Sequence, residues 1–228
     1  MKRFVLLDLD DTVYDFHTAE HIALSKTLQA LGLEPREEVL ARYSEINAEQ
    51  WRLLEQGQLT REQVKESRYQ LLFDEFGIDV DPVKAARTYE HNLSIGHYFI
   101  DGAEEMLETL SHEYELYLVS NGSTDIQMPR IASGNIARYF RGIFISEAIG
   151  HNKPSKAYFD AVFTAIPGFE KEKAVIVGDS LSSDIKGGRA AGITTIWFNP
   201  SEKLIEKEPF PDHVISKLSE LSMLLERL

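Results

Sequence analysis

The sequence predicts an α/β protein: a parallel sheet covered by helices on both faces, interrupted after its first strand by an inserted all-helical domain. Three observations predict it. From residue 96 onward short apolar runs alternate with helical segments, the grammar of a parallel sheet. Residues 16–95 carry helical periodicity and no strand pattern. The first apolar run, Phe4-Val5-Leu6-Leu7, has no strand neighbour nearby in sequence, so it must join the later sheet. The expected domains are 1–15 with 96–228 for the α/β part, and 16–95 for the helical insert.

Each element has its own warrant. Residues 4–8 are apolar up to a terminal acid, the pattern of a strand buried on both faces. In the insert, Ile22, Leu24, Leu28 and Leu31 mark a helix ended by Gly32; Pro35 can open a second, carrying Val39, Tyr43, Ile46 and Leu54 and stopped by Gly57. Thr60 and Gln63 form a capping-box pattern for a third helix, with Val64, Leu71 and Leu72, closing at Gly77. Pro82 opens a fourth, with Val83, Ala86, Tyr89 and Leu93. Further strands are expected at Glu115–Ser120, 143–146, Ala174–Gly178, Thr194–Phe198 and 214–215, with helices around 102–110, 155–166 and 183–191. Pro129 removes a ladder hydrogen bond and crowds the preceding turn, so a helix is expected to start near Met128 or to kink there. Residues 202–211, rich in Glu, Lys and Pro, read as an exposed loop.

Composition narrows the chemistry. The 228 residues, 43% hydrophobic and 27% charged, suit a globular protein with a substantial core. Without cysteine there is no disulfide scaffold, thiolate metal site or cysteine nucleophile, so any metal must be held by oxygen or imidazole. A net charge of −13 argues against a nucleic-acid surface and requires that any phosphate site be locally positive. The apolar run after Met1-Lys2-Arg3 is broken by Asp8 before it reaches export length, and no stretch approaches a membrane span. The chain is read as cytoplasmic, with no membrane partner.

Asp8 and Asp10 carry the strongest chemical signal. Two residues apart on an extended strand, their side chains share one side, and burying paired acids is costly unless a cation or strong donors compensate them. Either the strand ends there and the acids open into a cleft where a divalent metal can neutralise them, or they cap a turn. Three further signals fall at strand ends, where open parallel sheets build ligand sites. Ser120-Asn121-Gly122 offers a hydroxyl and backbone amides for phosphate oxygens, or an ordinary turn. Lys153 could hold a phosphate and offset the carboxylates, or be a solvated loop lysine. Asp179 could complete an oxygen-rich metal site, while Asp184 could orient Lys153 or metal-bound water, or favour a helix N-terminus.

In this order, strand-Asp-x-Asp-x-Thr, strand-Ser, loop-Lys, strand-Gly-Asp-x4-Asp, the signals resemble the four motifs of the haloacid dehalogenase superfamily over nearly the full chain. Asp10-Asp11-Thr12-Val13-Tyr14-Asp15-Phe16, Ile46-Asn47 with Trp51, Ser120-Asn121-Gly122 and Gly178-Asp179-Ser180 look like its pyrimidine 5'-nucleotidase branch. The resemblance implies a Rossmann-like core with an α-helical cap domain inserted between the first and second motifs. It implies a Mg2+-dependent phosphomonoesterase working through an aspartyl-phosphate, most simply a nucleoside 5'-monophosphate phosphatase preferring pyrimidines. Asp8 would be the nucleophile and Asp10 the acid and base. Magnesium would be held by Asp8, the Asp10 backbone carbonyl and Asp179; Ser120, Lys153 and the backbone amides near Asn121 would hold the phosphate.

In the cap, Phe16, Asn47 and Trp51 are candidates for facing the substrate, by stacking or pairing with a base; core packing is the competing role for the aromatics. His17 and His21 have the i,i+4 spacing of a helical metal pair but no evident third ligand. A dehalogenase has no leaving alkoxide to protonate, so Asp10 favours phosphoryl transfer. A sugar-phosphate phosphatase, a phosphomutase and a nucleotide-binding module with a dormant site are the alternatives. The expected partner is a small phosphorylated molecule, with monomer and homo-oligomer both left open.

Overall fold

Phe4–Leu7 forms β1, a strand in the middle of a six-stranded sheet, and all four side chains are fully buried. From β1 the chain leaves for four helices, α1 (Phe16–Ala30), α2 (Glu37–Glu55), α3 (Arg61–Phe76) and α4 (Pro82–Ser94). It then returns through α5 (Ala103–Glu113) and β2 (Glu115–Ser120), α6 (Thr124–Ser133) and β3 (Phe140–Ile145), and the single turn α7 (Ser146–Ile149). There follow α8 (Lys156–Ala165), β4 (Ala174–Gly178), α9 (Lys186–Ala191), β5 (Thr194–Phe198), β6 (His213–Ile215) and α10 (Leu221–Leu225). This computed structural model describes residues 2–205 and 207–228; residue 206, in the expected 202–211 loop, lies outside the described residues. The chain divides into two units, Met1–Phe16 with His97–Leu228, and His17–Gly96.

In the α/β unit every strand pair is parallel and the order is β3-β2-β1-β4-β5-β6. Period-2 alternation sends successive β1 residues to opposite layers. Val5 and Leu7 join Leu116, Leu118, Val175 and Val177 in one core with residues of α5 and α10; Phe4 and Leu6 join Tyr117, Val119, Ala174 and Ile176 in another with Tyr158, Phe159 and Val162 of α8. Each such large apolar side chain contributes about 1.5–3 kcal/mol by leaving water. That double burial is why β1 and β4 read as uninterrupted apolar runs. The entry and exit of the helical unit are tied side by side, Asp15 N–H donating to Tyr98 O at 2.8 Å and Ile100 N–H to Val13 O at 3.0 Å.

Of the boundaries that differ from expectation, three have a local cause. The second helix begins at Glu37 because Arg36 is extended (φ −72°, ψ 138°) and serves as its N-cap. β3 starts three residues early, at Phe140, since an exposed Arg141 and the small Gly142 hide its beginning from a hydropathy pattern. α6 starts at Thr124 rather than Met128, with Pro129 sixth in the helix. Proline there forfeits one ladder bond, while Ile126 and Gln127 N–H groups both close the first turn onto Ser123 O.

The helical unit packs its own core. Thr60 and Gln63 make the expected reciprocal capping box, and Gly77 ends α3 in the left-handed region at φ 63°, which glycine enters without strain. Tyr43, Tyr69 and Tyr89 are fully buried with ring centroids 5.1–6.0 Å apart, and the Arg68 guanidinium lies 4.9 Å from the Tyr89 ring. Arg68 donates to Asn47 Oδ1 at 2.8 Å and Asn47 donates to Glu20 Oε1 at 2.6 Å, a chain that links a buried cation to a buried acid through an amide. Burial pushes the Glu20 carboxyl above its usual range. No helix among the described residues is long and apolar enough to cross a membrane.

Candidate active site

Because all six strands are parallel, their C-terminal ends share one edge of the sheet, and the strand order reverses between β1 and β4, where such sheets open a crevice. Asp8 follows β1; its N–H makes a ladder bond to Val177 O at 3.0 Å. Beyond it the backbone turns sharply, Val13 and Tyr14 N–H groups both donating to Leu9 O, with Asp11 in the left-handed region at φ 58°, a conformation that Asp tolerates. Asp11 Oδ1 accepts from Phe16 N at 2.9 Å, so this acid caps α1 while Asp8 and Asp10 stay separate from that duty.

Lys153 is buried and has all three ammonium hydrogens placed: Asp8 Oδ1 at 2.6 Å, Asp184 Oδ1 at 2.6 Å and Val119 O at 2.9 Å. Its backbone is gripped by Asn121, whose Oδ1 accepts from Lys153 N at 2.7 Å and whose Nδ2 donates to Lys153 O at 2.9 Å. The Asn121 side chain is thus a strut for the lysine, while the phosphate contact expected near Asn121 falls to backbone amides. Asp184 leaves a π-helical turn, Leu181–Ile185, capped by Ser180. Its carboxylate occupies the space where a Cβ on Gly178 would stand, 2.2 Å from Oδ2, so β4 must end in glycine.

Asp8, Asp179 and Asp184 each bring a carboxylate oxygen within 4.8 Å of one another, the one such group of three or more potential ligands among the described residues. Among the described residues Lys153 is the one cation hydrogen-bonded to them, so carboxylates are in excess. Burial first, then the like charges of Asp184 and Asp10, raise the Asp8 carboxyl to about 8 against the pull of Lys153. Asp179 is pushed well above its usual range by burial and by Asp8 and Asp184. Burial alone would lower Lys153, but Asp184 and Asp8 raise it instead, keeping it charged. The expected locally positive site is therefore not supplied by these side chains. An all-oxygen donor set with surplus negative charge fits a hard divalent cation.

Two residues of α6 that the sequence did not single out complete the cluster. Arg130, fully buried, donates to Asp10 Oδ1 at 2.6 Å and to Gln127 Oε1 at 2.7 Å. Gln127 Nε2 donates to Asp10 Oδ2 at 2.6 Å and to Ser120 Oγ at 3.0 Å. Ser120 Oγ also accepts from Gly122 N at 3.2 Å. Both acceptor positions of that hydroxyl are filled, which leaves its hydrogen to donate to an incoming oxygen. The i,i+3 spacing of Gln127 and Arg130 just after Ser-Asn-Gly was the available signal, masked by Pro129. Trp197, on β5, was also missed: its indole N–H donates to Asp179 O at 2.6 Å.

The cap candidates fare differently. Phe16 opens α1 with its N–H on Asp11, and Trp51 lies half-buried with the Arg61 guanidinium 5.5 Å from its ring. Asn47 is buried, and its amide bonds Glu20 and Arg68 inside the helical unit. His21 Nε2 lies 3.5 Å from Glu37 Oε1, and among the described residues no metal-binding group includes His17 or His21.

Residues 5–198 match the family profile of the haloacid dehalogenase-like hydrolases. YfnB of Bacillus subtilis is 39% identical over 99% of this chain and 97% of its own. A crystal structure of YfnB bound to magnesium superposes with a TM-score of 0.94, at 38% identity over 98% of both chains. The pyrimidine 5'-nucleotidase PynA of Streptococcus pneumoniae is 36% identical over 87% of this chain and 84% of its own. The pyrimidine 5'-nucleotidase YjjG of Escherichia coli is 24% identical over 97% of each.

Proposed function

The chain belongs to the haloacid dehalogenase-like hydrolases, and on that footing we propose a Mg2+-dependent phosphomonoesterase that works through an aspartyl-phosphate on Asp8 and takes nucleoside 5'-monophosphates, pyrimidines first. Phosphoric monoester hydrolysis is the activity its nucleotidase and phosphatase relatives share. The observation that carries the mechanism is the meeting of Asp8, Asp179 and Asp184 around Lys153 at one sheet edge. The pyrimidine preference rests on likeness to PynA and YjjG.

Asp8 attacks phosphorus, forming a P–O bond as the bond to the leaving oxygen breaks; Asp10 gives that alcohol its proton. Water then loses a proton to Asp10 and attacks phosphorus, breaking the bond to Asp8 and releasing inorganic phosphate. Lys153 grips Asp8 Oδ1 and leaves Oδ2 outside that ion pair to act as nucleophile. Ser120 donates its hydroxyl hydrogen to a phosphate oxygen, and the backbone amides near Asn121 serve the others. Magnesium held by Asp8, Asp179 and the Asp10 carbonyl would supply positive charge that screens an anionic nucleophile from an anionic phosphate.

Phosphate release from a panel of nucleoside 5'-monophosphates and sugar phosphates, with Mg2+, tests the reading. We expect kcat/KM to favour pyrimidine over purine nucleotides by about tenfold or more, equivalent to ~1.4 kcal/mol of transition-state discrimination. Efficient sugar-phosphate cleavage with poor nucleotide turnover would overturn the nucleotidase reading. Phosphoryl transfer to a sugar hydroxyl without phosphate release would make the protein a mutase.

A further inference from the structure

We propose that Gln127 is a positioning residue for the phosphate site: its amide fixes the direction of the Ser120 hydroxyl, and Gly122 is glycine to make room for that amide. The proposal rests on the phosphate-binding role given to Ser120 above and assigns a task to a side chain which that reading does not use. Ser120 and Gln127 are both buried, so water does not compete for the bond between them. The orientation of the amide is forced. Arg130 donates to Gln127 Oε1 at 2.7 Å, and a guanidinium has no acceptor, so the amide oxygen must face Arg130 and the nitrogen must face Ser120. This holds whether or not Asp10 carries a proton. One hydrogen of Nε2 goes to Ser120 Oγ at 3.0 Å, and the other is directed to Asp10 Oδ2 at 2.6 Å. Gly122 N–H, at 3.2 Å, takes the second lone pair of the hydroxyl. With two donors fixed on its oxygen, the hydroxyl has one direction left for its hydrogen, and neither donor can accept it. A free rotor would share that hydrogen among several orientations; a locked one meets a phosphate oxygen already aimed.

Gly122 carries the second half of the inference. It is not among the glycines with positive φ, so no left-handed conformation demands glycine there. The demand comes from packing instead. A Cβ at this position would overlap Gln127 Cγ and stand 2.5 Å from Nε2 and 2.7 Å from Cδ. The three atoms nearest that Cβ all belong to Gln127. The glycine of Ser120-Asn121-Gly122 thus clears space for the side chain that orders the serine, and its own N–H supplies the second donor. Arg130 is in turn pinned, since its guanidinium lies 5.3 Å from the Tyr14 ring and Tyr14 Oη donates to Arg130 O at 3.2 Å.

The test titrates inorganic phosphate into the full chain with Mg2+ by calorimetry, a readout that needs no turnover, and compares wild type with Ser120→Ala, Gln127→Met and the double variant. Loss of a hydrogen bond to a charged oxygen should raise the phosphate Kd about tenfold or more in Ser120→Ala, and its misdirection should raise it about three- to tenfold in Gln127→Met. In the double variant Kd should stay within about twofold of Ser120→Ala, because the amide acts through a hydroxyl that is no longer there. A Gln127→Met Kd within about twofold of wild type, or a double variant showing the product of two independent losses, overturns the proposal. If Gln127→Met does not fold, Gln127→Ala takes its place in the cycle. Gly122→Ala should lower Tm in wild type and leave it unchanged in a Gln127→Ala background, which lacks the three atoms nearest the new Cβ; an equal drop in both backgrounds overturns the packing role given to Gly122. Wild type that binds no phosphate, or Ser120→Ala with an unchanged Kd, sinks the phosphate-site reading and this proposal with it. A raised Kd in Ser120→Ala without one in Gln127→Met sinks this proposal alone.

Discussion

Lys153 Nζ and Asp184 Oδ1 lie 2.6 Å apart with both side chains closed off from solvent, and the same ammonium reaches Asp8 at an equal distance. One cation is shared by two carboxylates in a buried site. Taking such charges out of water costs several kcal/mol per ion, so the two carboxylates depend on the one ammonium they share.

Removing that partner should therefore be severe. We expect Lys153→Met to cost about 3–5 kcal/mol of stability by urea unfolding, because two buried acids lose their counter-ion. Lys153→Arg should fail to restore activity, since a planar fork cannot reach Asp8, Asp184 and Val119 O in three directions. A loss below about 1 kcal/mol for the methionine variant would show that the pair is no stronger than a surface salt bridge.

Asp8→Asn should separate stability from activity. The amide still offers an oxygen to Lys153, so the fold should survive while turnover falls by at least about 10³-fold. It also removes a buried charge that its neighbours oppose, so the metal-free variant should melt no lower than wild type at pH 9. Turnover like that of wild type would remove Asp8 from the nucleophile role.

The raised Asp8 carboxyl gives a signed pH dependence. With a folded value near 8, against an ordinary 3.8, the folded metal-free protein holds a proton there that the unfolded chain releases. This group's relative stabilisation is complete below 3.8 and is lost as the pH rises through about 8. The stability difference between wild type and Asp8→Asn in EDTA isolates this contribution; a difference that grows in wild type's favour with pH would contradict it. Mg2+ binding should release protons below pH 8 and tighten as the pH rises, stabilising by about 2.7 kcal/mol at a hundredfold excess over Kd. Calorimetry in two buffers of different ionisation enthalpy measures those protons.

Trp197→Phe should weaken metal binding without unfolding the protein. Its indole holds the Asp179 carbonyl at 2.6 Å, and loss of such outer support costs about 10- to 100-fold in affinity. Mg2+ titration followed by thermal shift reads the change. Unaltered affinity would make the contact a packing feature of β5.

The β1 strand and the acids after it were legible because each is a local pattern: an apolar run buried on both faces, ended by a charge. Four of the expected strands recur nearly residue for residue, and Thr60 with Gln63 caps α3 as their spacing implies. α6 was not legible. Its proline argues locally for a helix start, while two of its side chains, Gln127 and Arg130, make contacts no local pattern contains, with Asp10, 117 and 120 residues away. The same applies to Asn47, whose type suits a nucleobase as well as it suits Glu20 and Arg68.

By itself the sequence determined the α/β class, the helical insert and the acids, serine and lysine that arrive at strand ends, since periodicity and strand-end chemistry are properties of short segments. Only the tertiary structure decided how those groups share their hydrogen bonds. It gave Lys153 to Asp8 and Asp184 together, turned Asn121 into a strut, and set Asp10 between Gln127 and Arg130. Each donor and acceptor has few bonds to make, and which partner takes them depends on distances that chain-local patterns do not contain.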